Sequence, residues 1–474
     1  MDRQRRAPTR AALAVAVLPV LVLSASAAVD RDAATRGAAG IGDPYYPLDG
    51  NGGYDVQRYD LDLRYDPDTG ELDGRAAVEA VAGQELTSFD LDLHGLTVHS
   101  VTVDGRAASW DRTADELVVQ PARRLAADQR FTTVVSYSGV PDTVHDSLGS
   151  SGFVHTDDGA VVAGQPEGAA TWFPCNDHPR DAAAVTVTVT VPAGLTAVSN
   201  GSLTGQVTRD GRSTWRWEAP EPMAPYLVTL AVGRFDLRAR TVDGVRYWDA
   251  IDPDLGGSRV AVARAALDRE PEMIAWLAGW FGPYPFAAAG GIVDQGPGFD
   301  HALETQTRPV YGPADFDDRR DAETVVVHEL AHQWTGDLVR LARWQDIWLN
   351  EGFATYAEWL WDEHEGGATV PERAAEVAGR PGTWDGVPGD PGADLTGLFS
   401  DAVYDRGALT LQALREQVGD PAFRRIVREW TSRYAGQAVT TADFVALAEQ
   451  VSGQRLDALF DTWLYTPGRP ALPG

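Results

Sequence analysis

The sequence predicts an α+β chain of more than one domain, with an all-β N-terminal domain of saddle or sandwich form followed by a mainly α-helical domain. Three observations predict it. Between Tyr54 and Val232 the chain runs in short alternating apolar–polar segments separated by turn residues, the pattern of half-buried strands. Near Asp252-Pro253-Asp254 the apolar spacing lengthens to that of helices. Within the helical part, two facing helices carry His328, His332 and Glu351, a metal-ligand set. At 474 residues the chain has room for two or three domains with substantial cores.

The elements follow in order. Arg3, Arg5, Arg6 and Arg10 precede an apolar run of about thirteen residues, Ala11 to Leu23, and then the small residues Ser24-Ala25-Ser26-Ala27-Ala28. This is the form of a cleavable secretory signal, and the run is shorter than the roughly twenty residues that span a bilayer. Residues 1–27 are therefore expected to be a signal peptide, 28–50 a flexible leader rich in Ala, Gly, Asp and Pro, 51–250 the β domain and 251–474 the catalytic domain. An exported protein is the corresponding expectation for localisation. Strands are expected at Val56–Tyr65, Phe89–Leu93, Leu96–Val103, Phe131–Tyr137, Ala184–Val191, Ser213–Glu218 and Tyr226–Val232, with Asp104-Gly105 as a hairpin turn. Ser258 to Phe281 has helical spacing and stops at Gly282-Pro283. Helices are then expected around His328, over Asp346–Glu363 and Pro371–Ala378, and finally at Asp405–Val418 and Thr441–Glu449.

Composition excludes several chemistries. The net charge is −29, which disfavours nucleic acid and anionic membrane surfaces. There is no lysine, so all 40 basic residues are arginine; Schiff-base catalysis, a lysine base and a P-loop lysine are ruled out. The single cysteine, Cys175, has no intramolecular partner and lies in Phe173-Pro174-Cys175-Asn176 with no activating histidine, so a buried structural thiol is expected. His94, His99, His145 and His155 are scattered, with no ligand spacing between them.

The chemistry lies in His328-Glu329-Leu330-Ala331-His332. Residues four apart share a helix face, so both imidazoles can reach one ion, and Glu329 sits at the edge of that face within reach of a water activated there. Zinc in a working site needs a third protein ligand and an open fourth position. Glu351, 19 residues after His332, is the candidate, on a helix whose Phe353, Tyr356 and Leu360 would bury that side. A buried lone carboxylate is costly unless paired or ligated. Leu338 occupies the place of the third histidine of the longer zincin pattern. Two histidines and a distant glutamate remain, the thermolysin-like arrangement.

His328 to Trp334, together with Trp348-Leu349-Asn350-Glu351-Gly352-Phe353-Ala354-Thr355-Tyr356, resembles the M1 family of zinc aminopeptidases. Gln165-Pro166-Glu167, Phe173 to Asp177, Phe281-Gly282-Pro283-Tyr284-Pro285-Phe286 and Tyr404-Asp405-Arg406-Gly407-Ala408 extend the resemblance over most of the chain. It implies one Zn2+ held by His328, His332 and Glu351, Glu329 as the general base that later protonates the leaving amine, and Tyr404 as hydrogen-bond donor to the oxyanion. It also implies a thermolysin-like catalytic domain and peptides with a free N-terminus as partners; the sequence leaves the oligomeric state open, with a monomer as the expectation. The family's Gly-x-Met-Glu-Asn segment corresponds to His301-Ala302-Leu303-Glu304-Thr305, which keeps the glutamate and changes its neighbours. Glu304 and Glu167 would then bind the substrate ammonium, with Gln165 and Ala302 lining the first subsite. The chain stops about seventy residues after Tyr404, so the helical domain that larger members carry beyond this point is expected to be missing and the cleft more open. Two other readings stay open: a zinc endopeptidase or peptide hydrolase of loose end-preference, because the amine-binding segment is altered, and a non-catalytic peptide-binding protein on the same scaffold. Intact Glu329 and Tyr404 speak against the second.

Overall fold

A computed structural model of the chain describes residues 35–470, apart from 114 and 148. The expected signal peptide and the first part of the leader lie outside the described residues. Tyr54–Asp66 is the central strand of the first half. Tyr59, Leu61, Leu63 and Tyr65 are buried to within 1% while Asp60, Asp62 and Arg64 face outward, the alternation read from the sequence. This strand pairs antiparallel with Glu71–Ala82 and parallel with Ala183–Pro192, at the middle of an eight-stranded sheet. A five-stranded sheet runs in the order Thr196–Ser199, Leu230–Gly233, Ala160–Ala163, Gly149–His155, Thr143–Asp146, and a three-stranded sheet contains Phe89–Asp92. Cys175 is fully buried, and burial pushes its thiol well above the usual range, as a structural role requires.

Several expectations are corrected. Tyr226 is not in a strand: Pro225–Leu227 forms a 3-10 turn, started by the fixed φ of Pro225, and the strand begins at Leu230. Ser258–Phe281 is two helices, α1 (Gly257–Leu267) and α2 (Glu270–Phe281); Pro271, which has no N–H to donate, opens the second. The strand pair Asp236–Val242 and Val245–Ile251 continues in parallel into Ile292–Val293 and Val310–Tyr311, so residue 250 falls inside a sheet. Residues 35–50 are not a free leader. Asp43 is buried, and its carboxylate accepts hydrogen bonds from Tyr45 N–H at 2.7 Å and Trp344 N–H at 2.8 Å, with His178 Nε2 at 3.0 Å. Tyr45 reaches Asp390. A single carboxylate with that many partners holds the segment against residues of both halves.

The helices of the second half are α3 (Arg319–His332), α4 (Trp348–His364), α5 (Val370–Val377), α6 (Leu395–Leu398), α7 (Gly407–Val418), α8 (Asp420–Arg433), α9 (Thr441–Ser452) and α10 (Asp457–Phe460). Sequence reasoning passed over α8, although Phe423, Ile426, Val427 and Trp430 stand at helical spacing and are all buried. The charged residues between them obscured the stripe. Among the described residues no helix is long and apolar enough to cross a membrane.

Candidate metal centre

The centre is assembled from α3 and α4. Asp318 caps α3 by accepting the N–H of Arg320, and the face from Val326 to His332 is buried. This places His328 and His332 one turn apart with ring centroids 4.8 Å from each other. Glu351, in the first turn of α4, brings Oε2 to 3.3 Å from His328 Nε2 and 3.3 Å from His332 Nε2. The other ring nitrogens are held from outside: His328 Nδ1 lies 2.6 Å from Glu358 Oε1, and His332 Nδ1 lies 3.1 Å from the carbonyl of Thr335. Both Nε2 atoms are thereby left for an ion, and the outer partners fix the ring orientations. A tetrahedral ion with bonds of about 2.05 Å sets its ligands about 3.3 Å apart, which is the spacing observed. The two nitrogens and one carboxylate oxygen fit zinc.

The electrostatics agree with this arrangement. Burial alone would raise the Glu351 carboxyl, but His332 and hydrogen bonds from both histidines hold it at about 2. Burial alone would lower His332, yet Glu351 and Glu304 lift it to about 9. Burial raises Glu329 to about 8 against the pull of the two histidines, and its buried Oε2 has no protein partner. A second group, Glu304, Glu329 and His332, also brings ligand atoms within 4.8 Å of one another. It offers one imidazole instead of two, so the first group is the metal site, and the second shows how near Glu304 stands to Glu329.

Glu304 is positioned by the Leu303–Val310 bridge, in which each residue's N–H donates to the other's carbonyl. Gln333, the residue closing α3, donates to the Glu304 carbonyl at 3.1 Å and accepts from Thr307 N–H at 2.7 Å, which fastens this loop to the metal helix. The Glu304 side chain accepts from Tyr226 O–H at 3.0 Å and Gln165 Nε2 at 3.2 Å. Gln165 and Ala302 line a cleft of about 200 Å3 with Tyr404, Leu395 and Phe399.

Tyr404 lies in a π turn, Ala402–Arg406, that leads into α7, and its ring stacks on His328 with centroids 5.9 Å apart. Two neighbours explain why the turn sits there. Arg406 is buried and donates to the carbonyls of Trp463, Gly386, Thr462 and Thr466, tying the turn to the end of the chain. Gly407 packs on Gly352 of α4 so closely that a Cβ on Gly352 would stand 2.9 Å from its backbone, and only glycine allows that approach.

Glu167 lines a different cavity from Gln165 and Ala302. Gly168 N–H closes a turn on the Gly164 carbonyl at 2.7 Å. Gln165 leaves this turn toward Glu304, whereas Glu167 faces a separate cavity and Asp49. Glu358, Tyr226 and the Thr335 carbonyl were missed by sequence reasoning. Glu358 was within reach of it, standing seven residues after Glu351 on the same helix face.

Comparison with known proteins extends the picture. The peptidase family M1 domain model matches residues 310–463 and the peptidase M1 N-terminal domain model residues 56–227. Aminopeptidase M1-B of Oryza sativa subsp. japonica is 27% identical over 87% of this chain and 50% of its own length. Leucyl aminopeptidase of Saccharolobus solfataricus is 25% identical over 88% and 54%. The chain thus spans about half the length of these relatives. An M1 zinc metallopeptidase from Deinococcus radiodurans superposes with a TM-score of 0.82 at 32% identity, over 92% of this chain and 99% of that one. A mutant of the Deinococcus protein solved with a Tyr-Ser-Ala substrate gives 0.83 over 92% and 100%.

Proposed function

The chain belongs to peptidase family M1, and from that premise we propose that it is a zinc-dependent aminopeptidase, exported from the cell, that hydrolyses the first peptide bond of peptides with a free N-terminus. Zinc held by His328, His332 and Glu351 would supply a Lewis acid that makes water nucleophilic at neutral pH and polarises a carbonyl. The remaining work belongs to the chain's own side chains. Glu329, with a carboxylate oxygen free of protein partners, accepts the proton of the attacking water and passes it to the departing amine. The Tyr404 hydroxyl, on the turn beside His328, donates to the oxygen on which negative charge develops. Gln165 and Tyr226 hold the Glu304 carboxylate in place to receive the substrate's ammonium.

One observation carries the exopeptidase reading: Glu304, Glu329 and His332 bring ligand atoms within 4.8 Å of one another. A group that captures an ammonium there leaves room for only one residue before the scissile bond. The similar Deinococcus mutant was solved with a Tyr-Ser-Ala substrate, which supports a peptide substrate for this chain. Export rests on the basic, apolar and small-residue pattern of residues 1–28.

The test is a panel of aminoacyl fluorogenic substrates with and without a chelator, run beside a free-amine peptide and its N-acetylated twin. Turnover should vanish with the chelator and return with zinc, and the acetylated twin should resist cleavage. Glu304→Gln should lower kcat/KM by about 10–100-fold, the effect of losing a hydrogen bond to a charged group. Equal cleavage of both twins would make the protein an endopeptidase.

A further inference from the structure

The loop that carries Glu304 is shaped from the β half. Thr307, three residues further on, has a φ of 65°, a left-handed conformation that a β-branched residue rarely adopts. Such strain persists only where the surroundings over-determine the backbone, and here they do. The Thr307 N–H donates to Gln333 Oε1 at 2.7 Å, and its Oγ1 accepts the Gly201 N–H at 2.7 Å. Arg308 Nη2 donates to the Gly201 carbonyl, also at 2.7 Å. Gln333 closes the metal helix, whereas Gly201 lies in the turn between the strands Thr196–Ser199 and Ser202–Arg209 of the β half.

Asn200, the other residue of that turn, is 2% exposed and makes three hydrogen bonds. Its Nδ2 donates to the Gln306 carbonyl at 2.8 Å and to the Leu227 carbonyl at 2.9 Å, and its Oδ1 accepts the Thr229 N–H at 2.8 Å. Gln306 belongs to the Glu304 loop. Leu227 follows Tyr226, whose hydroxyl donates to the Glu304 carboxylate at 3.0 Å. One amide therefore joins the loop that carries the carboxylate to the turn that carries its donor. The partners are two carbonyls and one N–H, so the group must offer two donors and an acceptor in one plane. Asparagine does so; an aspartate of the same shape only accepts.

We propose that Asn200 is a positioning residue for amine capture: through the Gln306 and Leu227 carbonyls it holds Glu304 and Tyr226 in register, so that recognition of the substrate's ammonium depends on a side chain of the β half. The proposal rests on the aminopeptidase reading above and adds a residue that is not part of the cleft wall.

The test is a double-mutant cycle on the zinc-loaded full chain, assayed with an aminoacyl fluorogenic substrate. Asn200→Asp keeps the acceptor for Thr229 and turns an oxygen toward the two carbonyls. KM should rise about tenfold while kcat stays within about threefold of wild type, because the ammonium contact is held equally in the bound state and the transition state. Zinc content should remain at one per chain. In a Glu304→Gln background the same substitution should change kcat/KM by less than about twofold, since residues that act as a unit are not additive. Should Asn200→Asp fail to fold, Thr307→Val removes the hydroxyl that accepts from Gly201 and Thr307→Ser keeps it. The valine variant should then show the KM rise and the serine variant should not. An unchanged KM, a loss confined to kcat, equal losses in the two backgrounds, or equal KM for the valine and serine variants would overturn the proposal. If Glu304→Gln leaves the free-amine peptide and its acetylated twin cleaved as by wild type, the aminopeptidase reading itself fails and takes this proposal with it.

Discussion

The molecule gathers carboxylates in two places, and they behave in opposite ways. At the metal centre Glu351 is buried and yet held at about 2, because two imidazoles stand in contact with it. In the separate cavity that Glu167 lines, Glu116 and Asp177 are also buried, but they are raised to about 8 and about 7. Burial is common to both places and so cannot set the difference. What differs is whether side chains of opposite charge converge on the carboxylate. Convergence within one helix pair makes a metal ligand; acids drawn from separate segments without a cation hold their protons towards neutral pH. Glu329 lies between the two cases, next to both histidines but raised to about 8 with one oxygen unpaired, as suits a group that must take up and release a proton.

The comparison can be broken by experiment. The largest effect is expected from Glu329→Gln, which keeps the shape and removes the proton acceptor. kcat should fall by about 10²–10⁴-fold, while zinc content measured by atomic absorption stays at one per chain; unchanged turnover would remove Glu329 from the chemistry. Glu358→Gln tests whether the centre depends on its outer partners. Losing the charge behind His328 Nδ1 should weaken zinc binding by about 10–100-fold, measured by competition with a chromogenic chelator. Wild-type affinity in this variant would mean that α3 and α4 alone orient the ligands.

The smallest effect concerns the cavity. The folded-state pKa values of Glu116 and Asp177 lie above their unfolded values, so between about pH 4 and pH 8 the folded protein holds protons that the unfolded chain has lost. The stability this contributes is present at the acid end of that window and is lost as pH rises through 7 and 8. The melting temperature should therefore fall by a few degrees from pH 5 to pH 8.5, and Asp177→Asn should flatten the slope. A melting temperature that rises across this range would contradict the uncompensated state of the cavity.

The two sites also differ in how far they could be read in advance. His328 and His332 stand four apart on one helix and Glu351 follows His332 by 19 residues on the next, and helical periodicity translates such spacing directly into direction. Tyr404 and Glu304 followed from resemblance, and the structure gives their physical reasons: the Gly352–Gly407 contact for one, the Gln333 amide for the other. The cavity could not be read, because Asp49, Asp92, Glu116, Glu167 and Asp177 come from separate segments joined only by sheet pairing and turns. No local period reports such a meeting. A motif records that two side chains are neighbours in sequence, while the turn closed by Gly168 decides which way each one points. Tyr226 was lost when a proline converted the start of an apolar run into a turn.

The Asp43 contact has a consequence in time. Its partner Trp344 lies 301 residues further along the chain. A ribosome adding about 5–20 residues per second delivers Trp344 roughly 15–60 s after Asp43 has left the tunnel. During that interval the β half can fold and give Asp43 its histidine, while the Gly37 N–H on the Ser88 carbonyl and Arg180 on the Ile41 carbonyl hold the segment to that half. The Trp344 bond can form only after α3 has been made, so it is the last of the Asp43 contacts to close.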